Sequence, residues 1–193
     1  MKTKRWMMGV VASLPLFGGV ALAQTAQPPR GLPDSPMARP GGTMKLAQKD
    51  QAFVDKAATA NMTEIKTAQL ALERGTSPEV KSYAKMIVDD HQKALDQLKK
   101  IAQDEGITLP TEITAEQQQK YEKLSKLSGA EFDQAFLKQM AASHDDAVKT
   151  FQRATTEVHD PLLRSYAENT LPTLREHDIK AKQDLKSEGA MPK

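Results

Sequence analysis

The sequence predicts an all-α protein, a four-helix bundle of up-down type with a small extra helix in the connection between its second and third long helices. Three observations point there. Apolar residues recur in alternating steps of three and four over long stretches, the period of an amphipathic helix. Ser, Thr, Asp, Pro and Gly stand at the ends of those stretches as start and stop signals. No segment alternates with the period of two that a half-buried strand requires.

The first long helix is expected over residues 48–74, with Gly75 just past its end. Ser77-Pro78-Glu79 opens the second. It supplies a serine N-cap, a proline at the first helical position, where its missing N–H costs nothing, and an acid in the positive first turn. That helix runs to about residue 105 and stops at Gly106. The stretch "ITLPTEIT" reads as a loop, and Thr114 with Gln117 forms a capping box for a short helix ending near residue 126. Ser128 with Glu131 reads as a second capping box, opening a third long helix that ends near residue 158. Asp160-Pro161 repeats the N-cap and proline signal for the fourth, to about residue 187. The first–second and third–fourth links are so short that each pair must form an antiparallel hairpin. The bundle domain is expected over residues 48–187, followed by a flexible tail at 188–193.

The N-terminal region has another character. Lys2, Lys4 and Arg5, an apolar run over residues 6–22, and Ala21-Leu22-Ala23 before Gln24 have the layout of a secretory signal peptide cleaved after residue 23. Pro15 and Gly18-Gly19 argue against an uncleaved anchor. Residues 24–47 hold five prolines and three glycines without periodicity, and are expected to be a disordered linker. The chain is therefore expected to be exported to the periplasm, with no integral span once the signal is removed.

Three of the 27 Lys and Arg lie in the signal, so 24 remain against 25 Asp and Glu. The folded part is mildly acidic, no basic cluster lies along one face, and the single tryptophan is Trp6. Nucleic-acid binding is excluded on those grounds. With no cysteine, the core rather than disulfides must stabilise an exported domain, and any metal ligand must be His, carboxylate or Met.

The apolar stripes carry the functional signal. On the second helix the stripe Val80, Ala84, Ile87, His91, Ala94, Leu98 has an imidazole where a hydrocarbon belongs. His144 interrupts the third stripe between Met140 and Val148, and His177 the fourth between Leu174 and Ala181. The first helix has no histidine, but its stripe Ala57, Asn61, Glu64, Ala68, Ala71 has a carboxylate at comparable depth. At 1.5 Å per residue, His91 lies about 15 residues and Glu64 about 11 from the first hairpin turn, and His144 about 14 and His177 about 19 from the second. The four thus fall within one or two helical turns of one another.

Burying several polar groups is costly unless they pair or bind something, and a transition metal does this well in a bundle core. Glu64, His91, His144 and His177 are the candidate ligands, for copper, zinc or iron. Met86 and Met140 lie near enough to be thioether ligands for copper, although Met is also a common core gap-filler. Asp90, Asp145 and Glu176 adjoin the histidines and could accept from an imidazole N–H, or be solvated flank residues. Glu-x-x-His is absent, since Val88, Ala141 and Leu174 precede the three histidines, so a di-iron carboxylate centre is not expected. Ser143 adjoins His144 but does not face it on a helix, and no nucleophile elbow occurs.

Taken together, "FVDKAATANMTEIKTAQLALERGTSPEVKSYAKMIVDDHQKAL", "GAEFDQAFLKQMAASHDDAVKTF" and "LPTLREHD" resemble domain-of-unknown-function family 4142 over about residues 48–187. The motif set is Glu64, Asp90-His91, His144 and Leu171-Pro172 followed by His177. The resemblance implies a ferritin-like bundle in the bacterial envelope, in one placement associated with the outer membrane, with these histidines as its signature, and implies no activity. Two readings stay open: a non-catalytic metal-binding bundle in metal homeostasis or envelope stress, and a structural or interaction module, with an envelope protein partner, whose histidines form a buried polar network. A redox enzyme at the same site is disfavoured by the missing Glu-x-x-His pairs, and oligomeric state is not legible.

Overall fold

In a computed structural model, residues 46–190 are described. The expected signal peptide and nearly all of the expected linker lie outside the described residues, as do the last three positions of the expected tail. Five helices account for most of the described chain: α1 (Gln48–Arg74), α2 (Pro78–Glu105), α3 (Ala115–Leu124), α4 (Gly129–Glu157) and α5 (Pro161–Ala190). No strand occurs among the described residues. The fold is the predicted all-α bundle, with α3 as the extra helix.

Most of the helix ends follow the sequence signals. Ser77 Oγ accepts from Val80 N–H, Thr114 and Gln117 form a reciprocal capping box, and Asp160 Oδ1 accepts from Leu162 N–H and Leu163 N–H at 2.8 and 3.0 Å. Gly106 ends α2 in the left-handed conformation, φ 67°. Two ends differ. Ser128 precedes α4 but makes no side-chain cap bond, so the expected second capping box does not form. Gly75 ends α1 at φ −59°, and closeness rather than handedness requires it: an added Cβ would lie 2.6 Å from Ala71 O and 2.9 Å from Val80 Cγ1.

Around the bundle the long helices follow the order α1, α2, α5, α4, with the closest packing within each hairpin. A buried aspartate holds each hairpin turn. Asp133, near the start of α4, accepts from Thr76 N–H, Thr76 Oγ1–H and Ser77 N–H in the α1–α2 turn. Asp50, in the first turn of α1, accepts from His159 N–H and Asp160 N–H in the α4–α5 turn, both at 2.9 Å. Burial would raise the Asp50 pKa, but those two N–H bonds and His159 hold it below the ordinary value.

These contacts put the two turns at opposite ends of the bundle, so α2 and α4 run the same way. The chain leaving α2 must therefore travel the bundle's length before α4 can begin. The segment carrying α3 does so along α1: Lys66 Nζ donates to Gln118 Oε1 at 2.9 Å and lies 4.4 Å from the Tyr121 ring centre, and the Arg74 guanidinium donates to Ser125 O. The depths counted from the two turns were thus measured from opposite ends. They still coincide, because each histidine lies near the middle of its helix.

The apolar core has two parts. Towards the Asp133 end, Tyr83, Ile87, Phe132, Phe136, Leu137 and Met140 are among the residues that pack together. Towards the Asp50 end, the cluster includes Phe53, Leu98, Phe151, Leu163 and Tyr166. Each long helix crosses from one cluster to the other through a polar residue: Asn61 and Glu64, His91, His144, and His177. No helix among the described residues is long and apolar enough to cross a membrane.

Replacing Asp133 or Asp50 by Ala would strand backbone donors in buried turns. Each substitution is expected to cost about 2–4 kcal/mol in urea unfolding, and Asp→Asn, which keeps one acceptor oxygen, clearly less.

Candidate metal centre

The polar layer draws one histidine from each of α2, α4 and α5, and a carboxylate with an amide from α1. Asn61, Glu64, His91, His144 and His177 are all at most 5 % exposed. The imidazole centroids are 5.5 Å apart for His91 and His144, 5.3 Å for His91 and His177, and 5.1 Å for His144 and His177. Each histidine offers one ring nitrogen to a group whose members all lie within 4.8 Å of one another.

Hydrogen bonding decides which nitrogens are free. His144 Nδ1 lies 2.9 Å from Met140 O, and a carbonyl only accepts, so Nδ1 carries the proton. Asn61 Nδ2 donates to Ala57 O at 2.8 Å and to Tyr166 Oη at 3.2 Å, which leaves Asn61 Oδ1 to accept from His91 Nδ1–H at 2.8 Å. His177 Nε2–H donates to Asp90 Oδ2 at 3.1 Å, leaving His177 Nδ1 buried and without a hydrogen-bond partner. Each imidazole is therefore anchored through one nitrogen, and in its neutral form has a lone pair on the other.

Those lone pairs meet a carboxylate. Glu64 Oε2 is 2.7 Å from His91 Nε2 and 3.2 Å from His144 Nε2, and the two Nε2 atoms are 3.3 Å apart. Despite this closeness, no well-directed hydrogen bond reaches Oε2, whereas Oε1 accepts from Ser143 Oγ–H at 2.9 Å. Electron-rich atoms so close together repel unless a positive charge lies among them, either a shared proton or a metal ion.

The electrostatics agree. Burial works to raise the Glu64 pKa, but His144, His91 and the Ser143 hydroxyl outweigh it and hold the carboxyl well below the usual range. Burial lowers the His144 pKa, opposed by Glu64 and assisted by His91. Burial, then His144 and His91, push His177 down to about 4 against the pull of Asp90 and Glu64. Neutral His144 and His177 beside an ionised carboxylate form a donor set ready for a cation.

The sequence-derived residues divide. Glu64, His91, His144 and His177 converge, and Asp90 accepts from His177. Asp145 instead faces Lys149 and Lys182, and Glu176 is exposed. Met140 is buried and supplies its carbonyl to His144, while Met86 lies partly buried against the apolar cluster of the Asp133 end. Sequence reasoning gave no role to Asn61, to the Ser143 hydroxyl on Glu64, or to Tyr83, whose hydroxyl donates to His177 O at 3.2 Å.

It also missed the turn-holding aspartates, although a signal for them exists. Asp50-Gln51-Ala52-Phe53 recurs as Asp133-Gln134-Ala135-Phe136, Pro78 as Pro161, and Ser82-Tyr83-Ala84 as Ser165-Tyr166-Ala167, all 83 positions apart (133 − 50). The two hairpins are thus halves of an internal repeat. The same offset pairs His144 with Asn61, but Glu64 with Ala147 and His91 with Leu174, so the halves share a scaffold and divide the site unequally.

Comparison with known proteins agrees with this fold. The chain matches a domain of unknown function, DUF4142, over residues 35–183. Among solved structures it is similar to a DUF305 fragment from Deinococcus radiodurans, with TM-score 0.66, 18 % identity, and coverage of 75 % of this chain and 99 % of that one. A candidate secreted DUF305 protein from Streptomyces coelicolor gives TM-score 0.64 and 12 % identity, covering 75 % and 96 %. CopM in a Cu(I)-bound form gives TM-score 0.60 and 20 % identity, covering 72 % and 96 %. No match was found among curated proteins.

The depressed His177 value has a consequence for stability. A histidine near 6.5 when unfolded and near 4 when folded binds its proton in the unfolded chain first. Its contribution is complete above pH 6.5 and is lost as pH falls from there towards 4. Metal-free protein is expected to lose roughly 3 kcal/mol across that window through this group, and urea unfolding of His177→Gln should show a correspondingly flatter pH profile.

Proposed function

From the premise that this chain belongs to the DUF4142 family, we propose that it is an exported metal-binding bundle that holds a transition metal through Glu64, His91, His144 and His177. One observation carries the reading. Three imidazoles from three helices cluster and each bonds one nitrogen to an oxygen acceptor; His91 and His144 set the other against Glu64 Oε2, which receives no directed hydrogen bond, and that of His177 is buried without a partner. Anchoring the outer nitrogen is how proteins orient metal-binding histidines and fix their tautomers.

The role proposed is binding rather than catalysis. The donors are almost wholly enclosed, as at sites that retain an ion, whereas a catalytic ion keeps an open position and a path for substrate. Holding or buffering a metal in the periplasm, as part of metal homeostasis or an envelope stress response, fits such a site and the exported placement read from residues 1–23. The Cu(I)-bound CopM shares the fold at 20 % identity, which supports the reading by analogy alone.

One contact favours a second reading. The 2.7 Å approach of Glu64 Oε2 to His91 Nε2 also suits a carboxylate–imidazolium pair in a proton-bridged network that fixes helix register.

Thermal unfolding of the metal-stripped protein with and without Cu²⁺, Zn²⁺ and Fe²⁺ separates the two. A bound metal stabilises the folded state by about 2.7 kcal/mol at a hundredfold excess over Kd, and His91→Ala or His144→Ala should abolish the rise in Tm. No shift with any of the ions, with both substitutions destabilising the metal-free protein, would establish the network instead.

A further inference from the structure

Resting on the metal-binding reading, we infer that the site takes a divalent ion of the Zn²⁺/Cu²⁺ class in preference to Cu⁺, and that Glu64 is the residue that sets this preference. The donor chemistry comes first. The layer offers three imidazole nitrogens and one carboxylate oxygen, and among the described residues none of its polar contacts involves sulfur. Cu⁺ is selected by thiolates and thioethers, whereas imidazole suits Zn²⁺ and Cu²⁺ and carboxylate oxygen suits harder cations still. Met140, the buried methionine nearest in sequence, contributes its carbonyl to the orientation of His144.

Geometry points the same way. A four-coordinate tetrahedral ion with bonds of about 2.0–2.1 Å separates its donor atoms by about 3.3–3.4 Å. Here His91 Nε2 and His144 Nε2 are 3.3 Å apart, and His144 Nε2 and Glu64 Oε2 are 3.2 Å apart. The third separation, 2.7 Å between Glu64 Oε2 and His91 Nε2, is shorter, and a bound ion would open it. Two imidazoles holding Cu⁺ alone favour a near-linear arrangement with donors on opposite sides of the ion. Glu64 Oε2 and the Nε2 atoms of His91 and His144 instead lie within 3.3 Å of one another, the spacing of neighbouring corners of a tetrahedron rather than of opposed ligands.

Charge adds a third consideration. Two carboxylates contact the imidazoles of the layer, Glu64 at His91 and His144 and Asp90 at His177, and this negative charge favours a divalent over a monovalent ion. Lys93 also pairs with Asp90, but it is 73 % exposed and its charge is screened by water, whereas among the described residues Glu64 forms ion pairs with His91 and His144 alone. Asp178 pairs with Lys182 through Oδ2, while its Oδ1 is buried without a hydrogen-bond partner and its charge reaches His144, adding to the attraction for a cation.

The test is competition against chelators of known affinity, on the whole metal-stripped protein, with Zn²⁺ in one series and Cu⁺ under anaerobic reducing conditions in the other. Wild type is expected to bind Zn²⁺ more tightly relative to its chelator scale than Cu⁺ relative to its own. Glu64→Gln, nearly isosteric and uncharged, should lower Zn²⁺ affinity at least tenfold and leave Cu⁺ affinity within about threefold, narrowing the preference. Circular dichroism of Glu64→Gln checks that the bundle is intact, and His91→Gln serves as a second variant expected to weaken both ions. Tight Cu⁺ binding with weak Zn²⁺ binding, or an equal loss of both ions in Glu64→Gln, would overturn the preference while leaving the metal site standing. Binding of neither ion would overturn this inference, and the metal reading falls with it if Cu²⁺ and Fe²⁺ also leave the Tm of the metal-stripped protein unchanged.

Discussion

The structure turns on one constraint: electron-rich donors from all four long helices face one another in a layer that water scarcely reaches. In water each would be solvated separately. In the core the hydration is gone, and bare lone pairs beside an ionised carboxylate are unfavourable unless cationic charge is shared among them. The other polar groups of the layer follow from this. Met140 O, Asn61 and Asp90 each occupy one imidazole nitrogen, which leaves Nε2 of His91 and of His144 against Glu64 and Nδ1 of His177 buried without a partner. Ser143 occupies the outer oxygen of Glu64 in the same way, leaving Oε2 for the histidines.

Such a layer works only if four helices hold their axial positions to within a fraction of a turn. The two apolar clusters on either side of it pack the helices, and the hairpin turns add fixed points at both ends. Asp133 ties the α1–α2 turn to the start of α4, and Asp50 ties the α4–α5 turn to the start of α1, so each hairpin sets the height of the other. The repeat explains why the two devices are alike. It also shows where the halves parted: the scaffold positions Asp, Phe, Pro and Tyr recur, whereas Glu64 and His91 have Ala147 and Leu174 as counterparts, so a pseudo-symmetric frame carries an asymmetric site.

Fold likeness and site chemistry should be kept apart here. The DUF305 structures and CopM share the bundle at 12–20 % identity, and a bundle can host many sites. In this chain a carboxylate stands among the imidazoles. The proposed metal class rests on this enclosed set of nitrogen and oxygen donors, whatever ion a structural neighbour contains.

Much of this was decided by the sequence alone. Helical period and end signals determined the long helices, because a helix reports its buried face every three or four residues and its ends through local capping chemistry. The same periodicity exposed His91, His144, His177 and Glu64 as polar intrusions at matching depth. Local rules failed where the outcome depended on something distant. Ser128 has capping-box residues but no cap bond, and Gly75 is required by the approach of Val80, a neighbour across the turn. The direction of α4 relative to α2, the clasp of each turn by the other hairpin's aspartate, and the division of Asp90, Asp145 and Glu176 into one histidine partner and two surface groups were all tertiary decisions. Each depends on which helices become neighbours and how they are rotated, and residues far apart in the chain settle that only when the core closes.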